Sequence, residues 1–166
     1  MSHTPTITKS TIFATILLMS LTAFLSKPVS ANQVYHTQNL ELTLTQAGML
    51  AGNPVLRAGH VVNIHASGPT IGAIERYLIE GAKPNTSYNV VADVFLSCGG
   101  THLLQLNDTV LMTNANGDAQ GGLVFSDTTL DGFVDGGTSL TLGVQWSLLS
   151  SGIAAYQTVC TTITLV

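Results

Sequence analysis

The residues with the clearest capacity for chemistry are oxygen-bearing side chains in the second half of the chain. Asn114, Asn116 and Asp118 alternate there, with Gly117 between the last two. Carboxylate and amide oxygens at alternate positions, with a glycine at the bend, form the first half of a calcium-binding loop. The full pattern closes with a bidentate Glu, and no Glu follows Glu80. We therefore favour a hairpin, whose Asn–Gly pair takes the positive φ angles of a tight turn, over a calcium loop.

A second acidic segment follows the first. Asp127, Asp131 and Asp135 are each four residues from the next, in a glycine- and threonine-containing stretch that predicts a loop. If this loop meets Asp118, the acids of both segments would close a Ca²⁺ site; otherwise they solvate turns. Loops commonly carry recognition in such folds because the strands are committed to the core. The sequence therefore predicts ligand or calcium binding at these two loops, and their charge favours a cationic or hydroxyl-rich partner.

The other ionisable residues form no recognisable catalytic or metal-binding pattern. Four histidines follow residue 31: His36, His60, His65 and His102. His60 and His65 are five residues apart on a predicted strand, so they point to opposite faces and cannot share one metal ion. Glu75 and Glu80 are available as an acid–base pair for a hydrolase, but no aromatic sugar platform accompanies them. No serine lies in a Gly-x-Ser-x-Gly elbow.

The charge balance excludes two classes of partner. Residues 32–166 carry three basic and nine acidic side chains, a formal charge of −6. A nucleic-acid-binding protein needs a basic stripe to displace counterions, and three scattered cations do not form one. The same deficit argues against electrostatic docking on anionic lipid.

The first 31 residues have the pattern of a secretory signal peptide. A polar start containing Lys9 precedes the uncharged run Thr11–Leu25, and the small residues before Asn32 suit a signal peptidase. Spanning a bilayer needs roughly 20 apolar residues, which is more than this run offers. The sequence predicts cleavage after Ala31 and a secreted protein without a stable membrane anchor. An uncleaved anchor is the alternative.

Two cysteines remain after cleavage, Cys98 and Cys160. An even pair in an exported domain predicts a disulfide. The alternation of side chains places Cys98 on the inward row of its strand and Cys160 on the polar row, so a bend at Gly99 and Gly100 is needed to join them. Two free thiols, one of them catalytic, are the weaker alternative.

The pattern of apolar residues predicts an all-β domain. Leu40, Leu42 and Leu44 alternate with polar residues, and longer alternating rows contain Tyr88 and Trp146. About nine strands result, separated by Gly, Pro and Asn turn signals, which is typical of a sandwich or barrel. Tyr88 and Trp146 are predicted core residues. In Ile71–Glu80 neither the helical nor the strand period fits well.

One short segment resembles a known family. The stretch GAKPNTSYNV, residues 81–90, resembles the E–F corner of fibronectin type III and related immunoglobulin-like domains. The resemblance implies that Tyr88 is a corner tyrosine whose hydroxyl bonds to upstream backbone, and that Pro84 forms the turn. It implies a single immunoglobulin-like β-sandwich over residues 32–166. Ala82 departs from the usual Leu, and Trp146 comes later than the family's core Trp.

The sequence thus predicts a secreted β-sandwich that acts as a non-enzymatic extracellular binding or structural module. Two alternatives stay open: a small secreted hydrolase using Asp and Glu, and a membrane-active β protein. The immunoglobulin-like architecture itself implies no activity, because it carries many functions.

Overall fold

The computed structural model describes residues 34–67, 73–125 and 139–165. The predicted signal peptide lies outside these residues, and so do Asp127, Asp131 and Asp135. Within the described residues, no helix has the length and hydrophobicity needed to cross a membrane.

Ten strands and one short helix make up the described part of the chain. They are β1 (Val34–Glu41), β2 (Thr43–Leu44), α1 (Gln46–Leu50), β3 (Ala58–Ser67), β4 (Ala73–Glu80), β5 (Ser87–Phe95), β6 (His102–Met112), β7 (Ala119–Phe125), β8 (Leu140–Ser150), β9 (Ile153–Gln157) and β10 (Thr161–Leu165). The all-β prediction is confirmed. The ambiguous stretch before Gly81 is a strand, β4, and its alternating burial follows the two-residue period.

The strands form two antiparallel sheets. Sheet A has the order β1-β3-β4-β7, and sheet B has the order β2-β9-β8-β5-β6, with β10 also paired to β8. Their inner faces contribute to one hydrophobic core, in which Val61 and Ile79 of sheet A join Trp146, Val90 and Leu148 of sheet B. The described residues belong to one compact unit, Asn32–Val166.

The first alternating row does not form one strand. Leu40 lies in β1 of sheet A, whereas Leu44 lies in β2 of sheet B, so the chain changes sheets at Leu42. Leu42 is buried in the core, and Leu40 and Leu44 are partly buried and pack against the core. A crossing segment can keep the two-residue period because both sheets bury their inner faces in the same core.

The sequence did not predict the helix α1, because five residues are too few to show a helical period. Thr45 caps it, since its side chain accepts a hydrogen bond from the Gly48 N–H at 2.8 Å. A β-carbon on Gly48 would lie 2.3 Å from the Ala155 carbonyl oxygen. Glycine is therefore needed for the helix to pack directly on β9.

Candidate functional site

The inner face of sheet A carries a row of buried polar residues. Asn63 of β3 and Glu75 of β4 are paired neighbours, and His65 and Tyr77 lie two residues further along these strands. The two-residue period therefore turns all four side chains inward. Each is at most 4% exposed. Burying polar groups without partners is costly, so their hydrogen bonds decide whether this arrangement is stable.

The four side chains form a continuous hydrogen-bonded chain. The Asn63 amide nitrogen donates to Glu75 Oε1 at 3.2 Å, which leaves its carbonyl oxygen to accept. His65 Nδ1 lies 3.0 Å from that oxygen, so Nδ1 carries the proton. Burial lowers the pKa of His65, and the neighbouring His36 lowers it further. The imidazole is therefore neutral, and its Nε2 is an acceptor.

A fifth polar residue joins this hydrogen-bonded series of side chains from the opposite sheet. The register of β5 and β6 shifts between Val90, which faces Thr109, and Val91, which faces Asn107. Asp108 is the extra residue of this β-bulge. Bulges re-aim side chains, and here Asp108 points between the sheets, where its Oδ2 lies 3.1 Å from the Tyr77 hydroxyl.

Two carboxyl groups consequently meet at one phenol. Tyr77 OH contacts Glu75 Oε2 as well as Asp108 Oδ2. A phenol has one hydrogen, so it can donate to one carboxylate while the other group must carry a proton and donate to the phenol oxygen. The two acids therefore share one proton across Tyr77, like other close carboxyl pairs in which both groups cannot ionise together.

The environment keeps that proton bound in the neutral pH range. Burial raises the pKa of Asp108 to about 8, and the nearby Glu75 charge adds to the rise. Burial also raises the pKa of Glu75, although contacts with Tyr77, Trp146 and Asn63 oppose the rise. Perturbed carboxyl groups are typical of functional sites, but they also occur in structural networks.

A small cavity borders the buried polar row. Its volume is about 80 Å³, and Asn63, His65 and Glu75 line one side of it. Among the described residues, the other lining side chains are apolar, together with Trp146. Sites for drug-sized ligands occupy about 300–1,000 Å³, so a sugar ring with its neighbours does not fit here. The cavity suits a molecule of a few heavy atoms.

A larger groove lies on the outer face of sheet A. It encloses about 650 Å³, and its lining residues come from all four strands: Asn39, His60, Val62, Arg76, Tyr77, Leu78, Gln120, Gly121 and Gly122. The register places Asn39, Val62, Arg76 and Gly122 in one row across the sheet. This volume is within the range of small-molecule sites.

Among the described residues that line the groove, Arg76 is the only Lys, Arg, Asp or Glu. Its side chain is exposed, and it forms no ion pair with any described residue. A β-carbon on Gly122 would lie 2.7 Å from Arg76 Nη1, so the missing side chain at Gly122 leaves room for the guanidinium. The other described arginine, Arg57, is neutralised by Asp118 at 2.8 Å.

The predicted loop Asn114–Asp118 forms a tight turn, but the strands that it connects differ from the prediction. The turn joins β6 of sheet B to β7 of sheet A, so it is a crossing between sheets and not a hairpin. Gly117 has φ +82°, whereas Asn116 is not among the residues with positive φ. Asn114 Oδ1 accepts from the backbone N–H groups of Asn116 and Asp118. The side chains thus stabilise the turn itself.

The Asp118 carboxylate also forms hydrogen bonds to other residues of the protein. Its Oδ1 accepts hydrogen bonds from Arg57 and from the Gly81 N–H at 3.0 Å. Among the residues that the structure describes, no three His, Cys, Asp or Glu side chains are grouped as metal ligands. The calcium hypothesis requires Asp127, Asp131 and Asp135, which lie outside the described residues, and it stays a prediction.

The structure contains the disulfide Cys98–Cys160, with a Cα–Cα distance of 5.6 Å. The conflict between inward and polar rows does not arise, because Cys98 follows the end of β5 and Cys160 precedes β10. Outside a strand, alternation no longer dictates the direction of a side chain.

Both aromatic residues expected in the core, Tyr88 and Trp146, are 0% exposed. The Tyr88 hydroxyl accepts from the Lys83 N–H at 3.3 Å, which is the upstream backbone contact that the local resemblance implies. It also donates to Asn53 Oδ1 at 2.7 Å.

The histidines follow strand parity. His60 lines the outer groove and His65 the inner cavity, so the prediction of opposite faces is confirmed. His36 stacks on His65 with ring centroids 5.4 Å apart. His102 contacts Asp93 at 3.1 Å.

The sequence analysis did not identify Asn63, Tyr77 and Asp108 as site residues. Polar residues in the inward row of β3 and β4 could have indicated the first two.

Comparisons of the chain with protein-family models, with curated proteins and with solved structures gave no match.

Proposed function

We propose that the protein is an exported, non-enzymatic binding module that holds an organic carboxylate with an apolar substituent in the outer groove of sheet A. The observation that carries this proposal is Arg76: an exposed guanidinium without an ion-pair partner in the described part of the chain, inside a groove of about 650 Å³. A guanidinium binds a carboxylate through two parallel hydrogen bonds, which makes arginine the preferred residue for this recognition.

The walls of the groove fit the remainder of such a ligand. Val62 and Leu78 supply apolar surface on either side of Arg76, since Val62 faces it across the sheet and Leu78 follows it on the same face. Asn39 and Gln120 supply amide groups that can donate to a carboxylate or accept from a hydroxyl. Few polar groups on an apolar surface are the usual composition of a small-molecule site.

Export and an immunoglobulin-like architecture belong to the same proposal. The disulfide supports an oxidising compartment, where such bonds persist. The Tyr88 contact with the backbone of Lys83 supports the tyrosine-corner resemblance. The signal-like pattern of residues 1–31 supports secretion.

A hydrolase is the second candidate, favoured by the shared proton of Glu75 and Asp108 and the raised pKa of both groups. The geometry weighs against it. Glu75 is 3% exposed, and the cavity it borders has a volume of about 80 Å³. Attack on a sugar chain or peptide needs both the substrate and a water molecule beside the acids. The groove therefore supports binding better than the acids support hydrolysis.

The test compares hexanoate with hexanamide, which has a similar shape without the charge. Binding is followed by NMR shifts of the Val62 and Leu78 methyl groups. We expect hexanoate to bind at least about tenfold more tightly, because a charge-assisted bond contributes roughly 1.5–3 kcal/mol. Arg76→Gln should remove this preference.

Arg57→Gln is the matched control, because it makes the same change at an arginine that Asp118 already neutralises. It should leave hexanoate binding unchanged. Equal binding of hexanoate and hexanamide, or equal losses in both variants, would exclude carboxylate recognition by Arg76.

A further inference from the structure

We propose that the cavity between the sheets is a second, separate site, which binds a short-chain alcohol. The proposal rests on an unpaired buried donor, on acceptors beside it, and on the size and polarity of the cavity. It does not depend on the outer groove.

The donor is the indole N–H of Trp146. The side chain is 0% exposed and lines the cavity. Its Nε1 is buried and has no hydrogen-bond partner among the described residues. It is close enough to Glu75 to oppose the rise in the pKa of that carboxyl, but it does not reach hydrogen-bonding geometry. Native proteins rarely leave a buried N–H unpaired, so an acceptor inside the cavity is expected.

The acceptors come from sheet A. His65 and Glu75 both line the cavity. The Asn63 carbonyl holds the proton of His65 on Nδ1, so Nε2 has a lone pair to offer. A ligand that satisfies Trp146 and also uses these acceptors must accept one hydrogen bond and donate another. A hydroxyl group does both.

The rest of the cavity selects for an alkyl chain over water. The other lining residues that the structure describes are apolar side chains from both sheets, including Ala73, Ala92, Val94, Leu142 and Val144. Water gains nothing from such a surface, whereas an alkyl group is removed from bulk water when it binds there. A cavity of about 150 Å³ accepts benzene. The smaller volume here, about 80 Å³, limits the ligand to a short chain.

Charge excludes the neighbouring ligand classes. A carboxylate would face the acid pair of Glu75 and Asp108, and repulsion would oppose its entry. An ammonium ion would be attracted to those acids, but it has no lone pair to accept from the Trp146 N–H. The neutral hydroxyl is the group that matches the donor and the acceptors.

The test titrates the folded protein with methanol, ethanol, 1-propanol and cyclohexanol, and follows the methyl NMR signals of Ala92, Val94 and Val144. We expect saturable shifts with the short alcohols, in the millimolar range because few ligand atoms make contact. Cyclohexanol should give none. Acetonitrile, which accepts but cannot donate, should bind at least several-fold more weakly than ethanol. Absence of saturation with every alcohol, leaving water alone in the cavity, would overturn the proposal.

Two variants locate the site. Ala73→Val adds two methyl groups to the cavity wall and should abolish ethanol binding. Ala119→Val makes the same change on the inner face of the same sheet, at a residue that does not line the cavity, and should preserve it. Equal binding in both variants would place the alcohol elsewhere.

Trp146→Phe removes the N–H and retains an aromatic ring, so it should weaken ethanol binding several-fold. Glu75→Gln changes an acceptor that acetonitrile does not use, so the affinity for acetonitrile should change less in that variant. If a variant fails to fold, the comparison of ethanol, acetonitrile and cyclohexanol on the unmodified protein still decides the question. Equal binding of all three there would contradict the proposed geometry.

Discussion

The carboxyl groups of Glu75 and Asp108 approach one oxygen atom, the hydroxyl of Tyr77, from opposite sheets. The contact joins the centre of sheet A to a bulge in β6 of sheet B. Because one proton must be shared among these groups, the packing of the two sheets is coupled to pH.

The first prediction concerns that coupling. The pKa of Asp108 rises from its usual 3.8 to about 8 in the folded state, so the folded protein binds the proton more tightly than the unfolded chain. The free energy of unfolding should therefore fall as pH rises from about 4 to about 8, by at most about 1.4 kcal/mol per unit. Asp108→Asn should flatten this decline, as measured by urea unfolding at a series of pH values.

Asp93→Asn is the control for the pH series. Asp93 lies on the neighbouring strand β5 and binds His102 and Gln105 away from the acid pair. His65 acts in the opposite sense near its usual pKa of 6.5, so the difference between the two variants is diagnostic. Parallel curves for Asp108→Asn and Asp93→Asn would contradict the shared proton.

The second prediction concerns the phenol itself. Tyr77→Phe removes the group that both carboxyls contact and leaves them facing each other without a bridge. We expect a loss of about 2–3 kcal/mol, since buried hydrogen bonds to charged groups are worth about that much. Tyr156→Phe is a matched control, because this hydroxyl donates to an uncharged acceptor, the Pro54 carbonyl, and its loss should cost about 1 kcal/mol. Equal losses in denaturant unfolding would mean that the bridge adds nothing.

The third prediction tests the crossing between the sheets. A β-carbon on Gly117 would lie 1.9 Å from the Ala82 carbonyl oxygen, and its φ is +82°. Gly117→Ala should therefore combine backbone strain with a steric clash and cost about 3 kcal/mol or more. Gly152→Ala, at φ +78° with open space around it, should cost about 1–2 kcal/mol from strain alone. Thermal melts of the two variants measure the difference, and coincident melting temperatures would refute the close contact.

The fourth prediction concerns the disulfide. The Cys98→Ala/Cys160→Ala variant should lose about 4 kcal/mol, because the bond closes a loop with a sequence separation of 62 residues. Reduction of the unmodified protein should lower its free energy of unfolding by a similar amount, and its melting temperature should fall accordingly. The double variant should not respond to the reductant. A response there, or none in the unmodified protein, would show that the bond does not stabilise the fold.

The sequence by itself determined the properties that depend on local periodicity and residue type. The alternation around Trp146 identified one buried face, and the spacing of His60 and His65 placed them on opposite faces. Both follow because successive side chains of a strand alternate in direction whatever lies beside it. The two cysteines predicted their own pairing because they are the only two in the chain.

The tertiary structure decided which residues meet. Asn63 faces Glu75 because β3 pairs with β4 in one register among several that the sequence allows. Asp108 points inward because the bulge inserts one residue, and nothing in the sequence Asn107–Thr109 marks that insertion. The Asn116–Gly117 pattern predicts a hairpin, because a tight turn has the same sequence signature whether or not its two strands share a sheet. Contacts between sheets depend on packing across the whole domain, and local periodicity carries no information about them.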